Sequence, residues 1–334
     1  MTGAADPLRR LSPVVRLAPA KLNLTLAVVG RRDDGYHTLH SVFVPLTLAD
    51  RLSLAPVAGQ RDTLHVTGFD AGPPADNLVL RALAAARAAV GGRWPGGPVP
   101  APALAARLDK RIPVAAGLAG GSSDAASTLD GALEAWGAEL DEHARLAVAA
   151  QLGSDVPFFL AGGPALVEGR GEQVAPLGGL HGSPGVVLVT PALAVPTPEV
   201  FAAFDAIRSH GDGAVRMSST HLAEELRSGL TVANLVARAG VLASANDLLP
   251  ATSLVVPELV PFKRALSRLL GRPIGLSGSG PTLWALYASE IDAAAAAEVV
   301  RAAVADSRLD PPGWSEPFVC ASAIVNHRQE GSQP

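Results

Sequence analysis

Polar and apolar positions alternate near the start of the chain. In the stretch 14–29, Lys21, Asn23 and Thr25 alternate with Leu22, Leu24 and Leu26. A period of two predicts a strand with one polar face, so Lys21 and Asn23 point the same way. On this pattern alone, a solvated edge strand is the better reading of Lys21. Residues 30–37 read as a loop. Strand-like runs follow at 41–46, 51–55, 63–66 and 104–108. Asp76-Asn77 is a helix-start signal before 78–90, and Leu129, Leu133 and Trp136 share one face of a helix running to position 136. A further helix covers 141–152, and Asp155 falls in a turn between it and an apolar run, with strands at 164–168 and 185–190. The second half predicts helices at 199–207, 221–227, 232–243, 258–270 and 291–305, and strands at 283–287 and 317–325. The Gly/Pro-rich stretch 91–102 and the polar stretch 210–220 read as surface loops. Strands and helices alternate without a long parallel run, which predicts an α+β fold.

The 334 residues, 48% of them hydrophobic, are enough for two domains with real cores. The expected division is a flexible extension over 1–13, a first domain over 14–178, a second over 179–328 and a tail over 329–334. A net charge of −4 argues against a nucleic-acid partner, which asks for a basic surface. Cys320 is the only cysteine, so neither an internal disulfide nor a cysteine zinc site is available. It lies in an apolar run and reads as a buried structural thiol, and its solitude fits a reducing cytoplasm. No apolar run reaches the roughly 20 residues of a membrane span.

Two glycine-serine stretches carry candidate chemistry. The first is Pro113-Val114-Ala115-Ala116-Gly117-Leu118-Ala119-Gly120-Gly121-Ser122-Ser123, which feeds a helix-forming run. Glycines leading into a helix N-terminus offer free N–H groups and the positive end of the helix dipole, a site for a phosphate chain. No lysine follows the glycines as in the P-loop, and the spacing fails the dinucleotide pattern. A plain Gly/Ser turn capping a helix is the other reading. A methyl at Ala119 is tolerated only if its φ stays negative. The second stretch, Gly275-Leu-Ser-Gly278-Ser279-Gly-Pro-Thr282, precedes a strand, so it is not a dinucleotide loop either. Two such loops in separate halves suggest a cleft between domains.

The first loop resembles the ATP-phosphate motif of the GHMP kinases, the family of galactokinase, homoserine kinase and mevalonate kinase. Ala119 departs from it, standing where the family usually has glycine. Pro19-Ala-Lys21-Leu-Asn23-Leu24 resembles the family's first motif, Gly153-Ser-Asp155-Val-Pro157 the segment with its catalytic aspartate, and the second loop its third motif. Arg32-Asp-Asp-Gly-Tyr36-His37 and Pro196-Thr197-Pro-Glu-Val-Phe201 resemble stretches of the branch that acts on a cytidine diphosphate-linked polyol. The resemblance implies an N-terminal ATP-binding domain like ribosomal protein S5 domain 2 and a C-terminal ferredoxin-like α/β sandwich. It implies ATP and Mg2+ as cofactors, with Ser123 as a magnesium contact. Small molecules are the implied partners, with no nucleic acid or membrane, on a monomer or homodimer.

The implied catalytic pair is Lys21 and Asp155. Residues 113–123 and Asn77 would hold ATP. Asn23, Tyr36, His37, Thr197, Phe201, Gly278 and Ser279 would hold the second substrate, with Tyr36 and Phe201 stacking on a cytosine whose edge His37 reads. Another small-alcohol kinase or an ATP-dependent diphosphate decarboxylase of the same family remains open. So does a non-catalytic binder with the S5-like fold.

Overall fold

The computed structural model describes residues 13–73, 76–91, 101–207 and 213–326. The tail at 329–334, all but the last residue of the extension and most of the 91–102 loop lie outside the described residues.

The first half forms a seven-stranded sheet: β1 (Val14–Asn23), β2 (Ala27–Arg31), β3 (His37–Val57), β4 (Thr63–Gly68), β5 (Ala103–Lys110), β6 (Ala165–Gly169) and β7 (Gln173–Pro176). β3 is the axis of this sheet. β1 and β2 run antiparallel to it along one side, β5 and β6 along the other. Four helices accompany the sheet: α1 (Leu78–Val90), α2 (Gly120–Trp136), α3 (Glu142–Leu152) and α4 (Val156–Ala161). Their apolar sides meet one sheet face in a core that includes Phe43, Leu54, Leu83, Leu108, Leu129 and Trp136. Each large side chain buried there contributes roughly 1.5–3 kcal/mol.

The second half is led by β8 (Leu180–His181), β9 (Gly185–Thr190), β10 (Leu230–Thr231), β11 (Gly275–Leu276), β12 (Leu283–Tyr287) and β13 (Phe318–Ala323). Four of these make an antiparallel sheet in the order β11-β12-β9-β13, and β8 pairs with β10. The helices are α5 (Thr197–Ile207), α6 (Ala214–Ser228), α7 (Val232–Ala237), α8 (Ala239–Ser244), α9 (Leu249–Val255), α10 (Leu259–Leu270) and α11 (Glu290–Ala305). Val186 and Leu188 of β9 pack with Leu22, Leu24, Val42 and Val44 of the first half. Val187 and Val189, one step out of phase, pack with Phe262, Leu266 and Val300. Alternation along β9 thus joins the two halves on one face and builds a separate core on the other.

Two expectations are corrected, and one helix is added. The runs at 41–46 and 51–55 are one strand of 21 residues. Asp50, between the two runs, is fully buried and accepts the N–H groups of Arg111 and Ile112. Residues 214–220, expected as loop, begin α6. Their polar Ser219 is buried, and its hydroxyl meets Thr25 Oγ1 at 2.8 Å. Helix α9 lies in a stretch to which the sequence pattern assigned no element, with proline in its first turn, where a missing N–H does no harm. Cys320 is half-buried in β13, and burial raises its thiol pKa.

Candidate active site

A cavity of about 630 Å³ lies where the two glycine loops meet. Lys21, Asn23, Asn77, Asp155, Thr197, Phe201, Gly278 and Ser279 line it, together with Pro113, Val114, Ala115, Ala116, Gly117, Ala119, Gly120, Gly121 and Ser122. Most of the site residues expected from sequence therefore share one space. Leu118 is fully buried behind the loop.

Lys21 reaches the cavity because of a local irregularity. The β1–β3 register shifts between Pro19 and Lys21, and such a bulge re-aims the side chain beside it. Its backbone N–H then donates to Leu118 O at 3.0 Å, tying β1 to the loop. The ammonium donates to Asn23 Oδ1 at 2.6 Å and to Gly117 O at 3.0 Å, and stands 4.7 Å from the Phe43 ring centroid. Asp155 Oδ2 is 3.9 Å away. Burial lowers the Lys21 pKa below that of a free lysine, while the Asp155 carboxylate works in the opposite direction. Asp155 precedes α4 without capping it, so its carboxylate is not committed to the helix. Val156, Phe158 and Phe159 anchor that short helix in the core.

Helix α2 starts at Gly120, and Ala119 at its N-cap has no side-chain oxygen to offer. The first N–H groups of the helix are thus left open to an external acceptor. Ala119 has φ 53°, against the expectation of a negative value, and Ala115 has φ 55°. Each costs about 1–2 kcal/mol relative to glycine. Ser123 lies one turn into α2, behind the cavity wall, where its Oγ is buried without a hydrogen-bond partner among the described residues, and Ser122 stands on the wall itself. Asn77 caps α1, its Oδ1 accepting the Val79 N–H at 3.0 Å.

The two loops touch at Gly117. Its carbonyl accepts Lys21 Nζ and, at 2.9 Å, Ser277 Oγ. A Cβ at Gly117 would lie 2.3 Å from Ser277 O, and the residue already has φ +76°. Gly117→Ala is therefore expected to cost about 1–3 kcal/mol of stability through overpacking. A fall in Tm by calorimetry checks this, and an unchanged Tm would mean the loops are not docked.

On the substrate side, Thr197 Oγ1 meets Ser279 Oγ at 2.9 Å. The aromatic pair differs from expectation. Phe201 stacks on His37, with ring centroids 4.6 Å apart, while Tyr36 is 54% exposed near Arg170 and outside the cavity lining. His37 Nε2 is engaged by Asp205 Oδ1 at 2.7 Å. The loop carrying Tyr36 turns at Gly35, with φ 87°, and leaves Tyr36 exposed while His37, the first residue of β3, is buried.

Sequence reasoning missed Lys110 and Asp124, which line the cavity, and Asp50 behind them. Lys110 Nζ donates to Asp50 and, at 2.8 Å, to Asp124 Oδ2. The two carboxylates outweigh the desolvation that opposes the Lys110 ammonium and raise its pKa. Burial pushes Asp124 up to about 7, with Lys110 opposing and Asp50 adding. A signal was present: an aspartate on the buried side of a helix, among Ala125, Ala126 and Leu129, needs a cation. Asn246 and Thr252 were also missed. They hold the second loop through Leu276 O, Gly278 O and Ser279 O.

Residues 77–163 match the model described as GHMP kinases N terminal domain, and residues 225–306 the one described as GHMP kinases C terminal. The chain is similar to a curated 4-diphosphocytidyl-2-C-methyl-D-erythritol kinase of Nocardia farcinica, 41% identical over 89% of this chain and 92% of that one. It is 39% identical to the protein of the same name from Pelotomaculum thermopropionicum, over 82% of this chain and 89% of that one. A solved 4-(cytidine 5'-diphospho)-2C-methyl-D-erythritol kinase superposes with a TM-score of 0.66 at 32% identity, covering 93% of this chain and 100% of that one. The mevalonate kinase of Methanococcus jannaschii, at 12% identity and TM-score 0.64, shares the fold over 95% of this chain and 100% of that one.

Proposed function

The chain belongs to the GHMP kinase family, and from that premise we propose that it phosphorylates the 2-hydroxyl of 4-diphosphocytidyl-2-C-methyl-D-erythritol with ATP, a step of the non-mevalonate route to isoprenoid precursors. The observation that carries the reaction type is the approach of Lys21 Nζ to Asp155 Oδ2, 3.9 Å, on the wall of a cavity shared with the uncapped end of α2.

ATP and Mg2+, when bound, supply the γ-phosphoryl group and the neutralisation of its charge. The cradle fits a polyphosphate: its glycines leave the backbone bare, and no side chain caps α2. Ser122 and Asp155 offer oxygen donors of the kind Mg2+ takes, and this hard cation keeps several waters and phosphate oxygens besides. In our reading, Asp155 accepts the proton of the substrate hydroxyl. Lys21 orients that hydroxyl and offsets developing charge. Asn23 holds Lys21 through Oδ1 and Ser41 through Nδ2, so it sets the lysine as well as facing the substrate. Asn77 lies on the nucleotide side. Phe201, backed by His37, offers a flat face to a pyrimidine, and Thr197, Gly278 and Ser279 border the polyol and its phosphates. Tyr36 would have to swing inward to close a sandwich.

We place the domain division at 178/179, after β7 and before β8. The lone cysteine fits a cytoplasmic setting. Among the described residues no helix is long and apolar enough to cross a membrane.

The test is ATP consumption with 4-diphosphocytidyl-2-C-methyl-D-erythritol against mevalonate, homoserine and galactose. Turnover is expected with the first alone. Turnover only with another alcohol, or with none, would overturn the substrate or the reaction.

A further inference from the structure

We infer that Lys110 is a positioning residue for the phosphate cradle: gripped between Asp50 and Asp124, its ammonium pins the first turns of α2 to β3 and β5 and lends no net positive charge to the phosphates. The inference rests on reading this cradle as the ATP-phosphate site.

A lysine on the wall of a phosphate site invites the opposite view, that it neutralises the ligand. Three observations weigh against that. The first is charge. Lys110, Asp50 and Asp124 are 4%, 0% and 3% exposed, and the single ammonium faces two carboxylates. With both ionised the trio carries −1, and with one protonated it is neutral, so it is never a positive patch.

The second is connectivity. Asp50 sits in β3, Lys110 ends β5 and Asp124 lies just past the first turn of α2. Asp50 Oδ1 also accepts the N–H groups of Arg111 at 2.6 Å and Ile112 at 2.8 Å, the residues that lead into Pro113. Both ends of the loop are therefore fastened to one buried cluster. A Cβ on Gly120 would come 3.1 Å from Lys110 Nζ, so the helix start rests directly on the ammonium.

The third is strain. Between the two fastened ends stand Ala115 and Ala119 in the left-handed region. Such residues persist only where the surroundings over-determine them. The Lys110 cluster supplies that constraint on both sides of the loop.

The test compares wild type, Lys110→Met, and a charge-free cluster carrying Lys110→Met, Asp124→Leu and Asp50→Asn. Asparagine keeps the oxygen that accepts the two backbone N–H groups, and apolar replacement of a buried ion cluster is often close to neutral for stability. Binding of a non-hydrolysable ATP analogue is measured by calorimetry, with KM for ATP and for the alcohol measured separately. Lys110→Met is expected to weaken nucleotide binding about tenfold or more, equivalent to ~1.4 kcal/mol, with KM for the alcohol unmoved. The charge-free cluster is expected to recover nucleotide affinity to within about threefold of wild type, equivalent to ~0.7 kcal/mol.

If the charge-free cluster folds and binds nucleotide as weakly as Lys110→Met, the ammonium acts on phosphate directly and the inference is overturned. It is also overturned if Lys110→Met lowers Tm but leaves nucleotide affinity unchanged. Should Lys110→Met not fold, the charge-free cluster decides alone: near-wild-type affinity supports the inference and a large loss overturns it. A wild-type protein that binds no nucleotide removes the cradle reading and the inference with it.

Discussion

Asp155→Asn is expected to lower turnover by about 10²–10⁴-fold, the range for loss of a positioned general base, while nucleotide binding and the fold persist. The carboxylate makes no cap bond to α4, so asparagine removes charge and basicity without unfastening the helix. Val156, Phe158 and Phe159 continue to hold that segment in the core. The check is ADP release with the diphosphocytidyl substrate, beside calorimetric binding of an ATP analogue to the same preparation. Equal rates in the two proteins would strip Asp155 of its role. A loss of binding as large as the loss of rate would recast it as a structural residue.

Lys21→Met should cost about 10²–10³-fold in kcat, the scale for removing one preorganised electrostatic partner of a reacting group. It should also lower stability, and by more than Asp155→Asn, which removes only the carboxylate that opposes the cost of burying the ammonium. The ammonium satisfies Asn23 Oδ1 and Gly117 O, and methionine would leave these acceptors short of a donor in a largely buried setting, at about 1–3 kcal/mol for each fully orphaned group. Thermal melting measures that part, and steady-state kinetics the rest. An unchanged kcat would remove Lys21 from the mechanism.

The pH profile offers a second check on Lys21. Burial lowers its pKa from 10.5, so the alkaline limb of the rate profile should fall below that value, activity being present below the folded pKa and lost as pH rises through it. In Asp155→Asn the opposing carboxylate is gone, and the limb of the residual rate should move further toward acid. Stability has the opposite sign. The folded pKa lies below the unfolded one, so the cost of burying the cation is full below the folded pKa and is relieved as pH rises toward 10.5.

Local patterns were legible where a short segment controls its own conformation. Asp76-Asn77 announced α1, and Asn77 caps it. The period of two at 21–26 placed Lys21 and Asn23 on one side, and they now hydrogen-bond to each other. Polar residues in buried places were not legible. Ser219 fell in a stretch read as a surface loop and Asp50 and Asp124 drew no role, because nothing local reveals that Thr25, Arg111 and Ile112, or Lys110 will meet them. The placing of the aromatics was not legible for a related reason. Tyr36 and His37 are neighbours in sequence, but His37 opens β3 and is buried while Tyr36 is exposed, and only tertiary packing makes His37 the partner of Phe201 in α5.

Read as a string of residues, the chain already specifies its strands and helices, a glycine loop opening onto a helix, and the family to which those motifs belong, since propensity, periodicity and motif spacing are properties of short stretches. Tertiary structure alone brings Lys21 to Asp155 across 134 residues, docks Gly117 under Ser277 and closes the ammonium of Lys110 between two carboxylates. Those contacts join residues far apart along the backbone. Their partners are chosen by how two sheets and their helices fill one core, a choice that periodicity within a segment does not record.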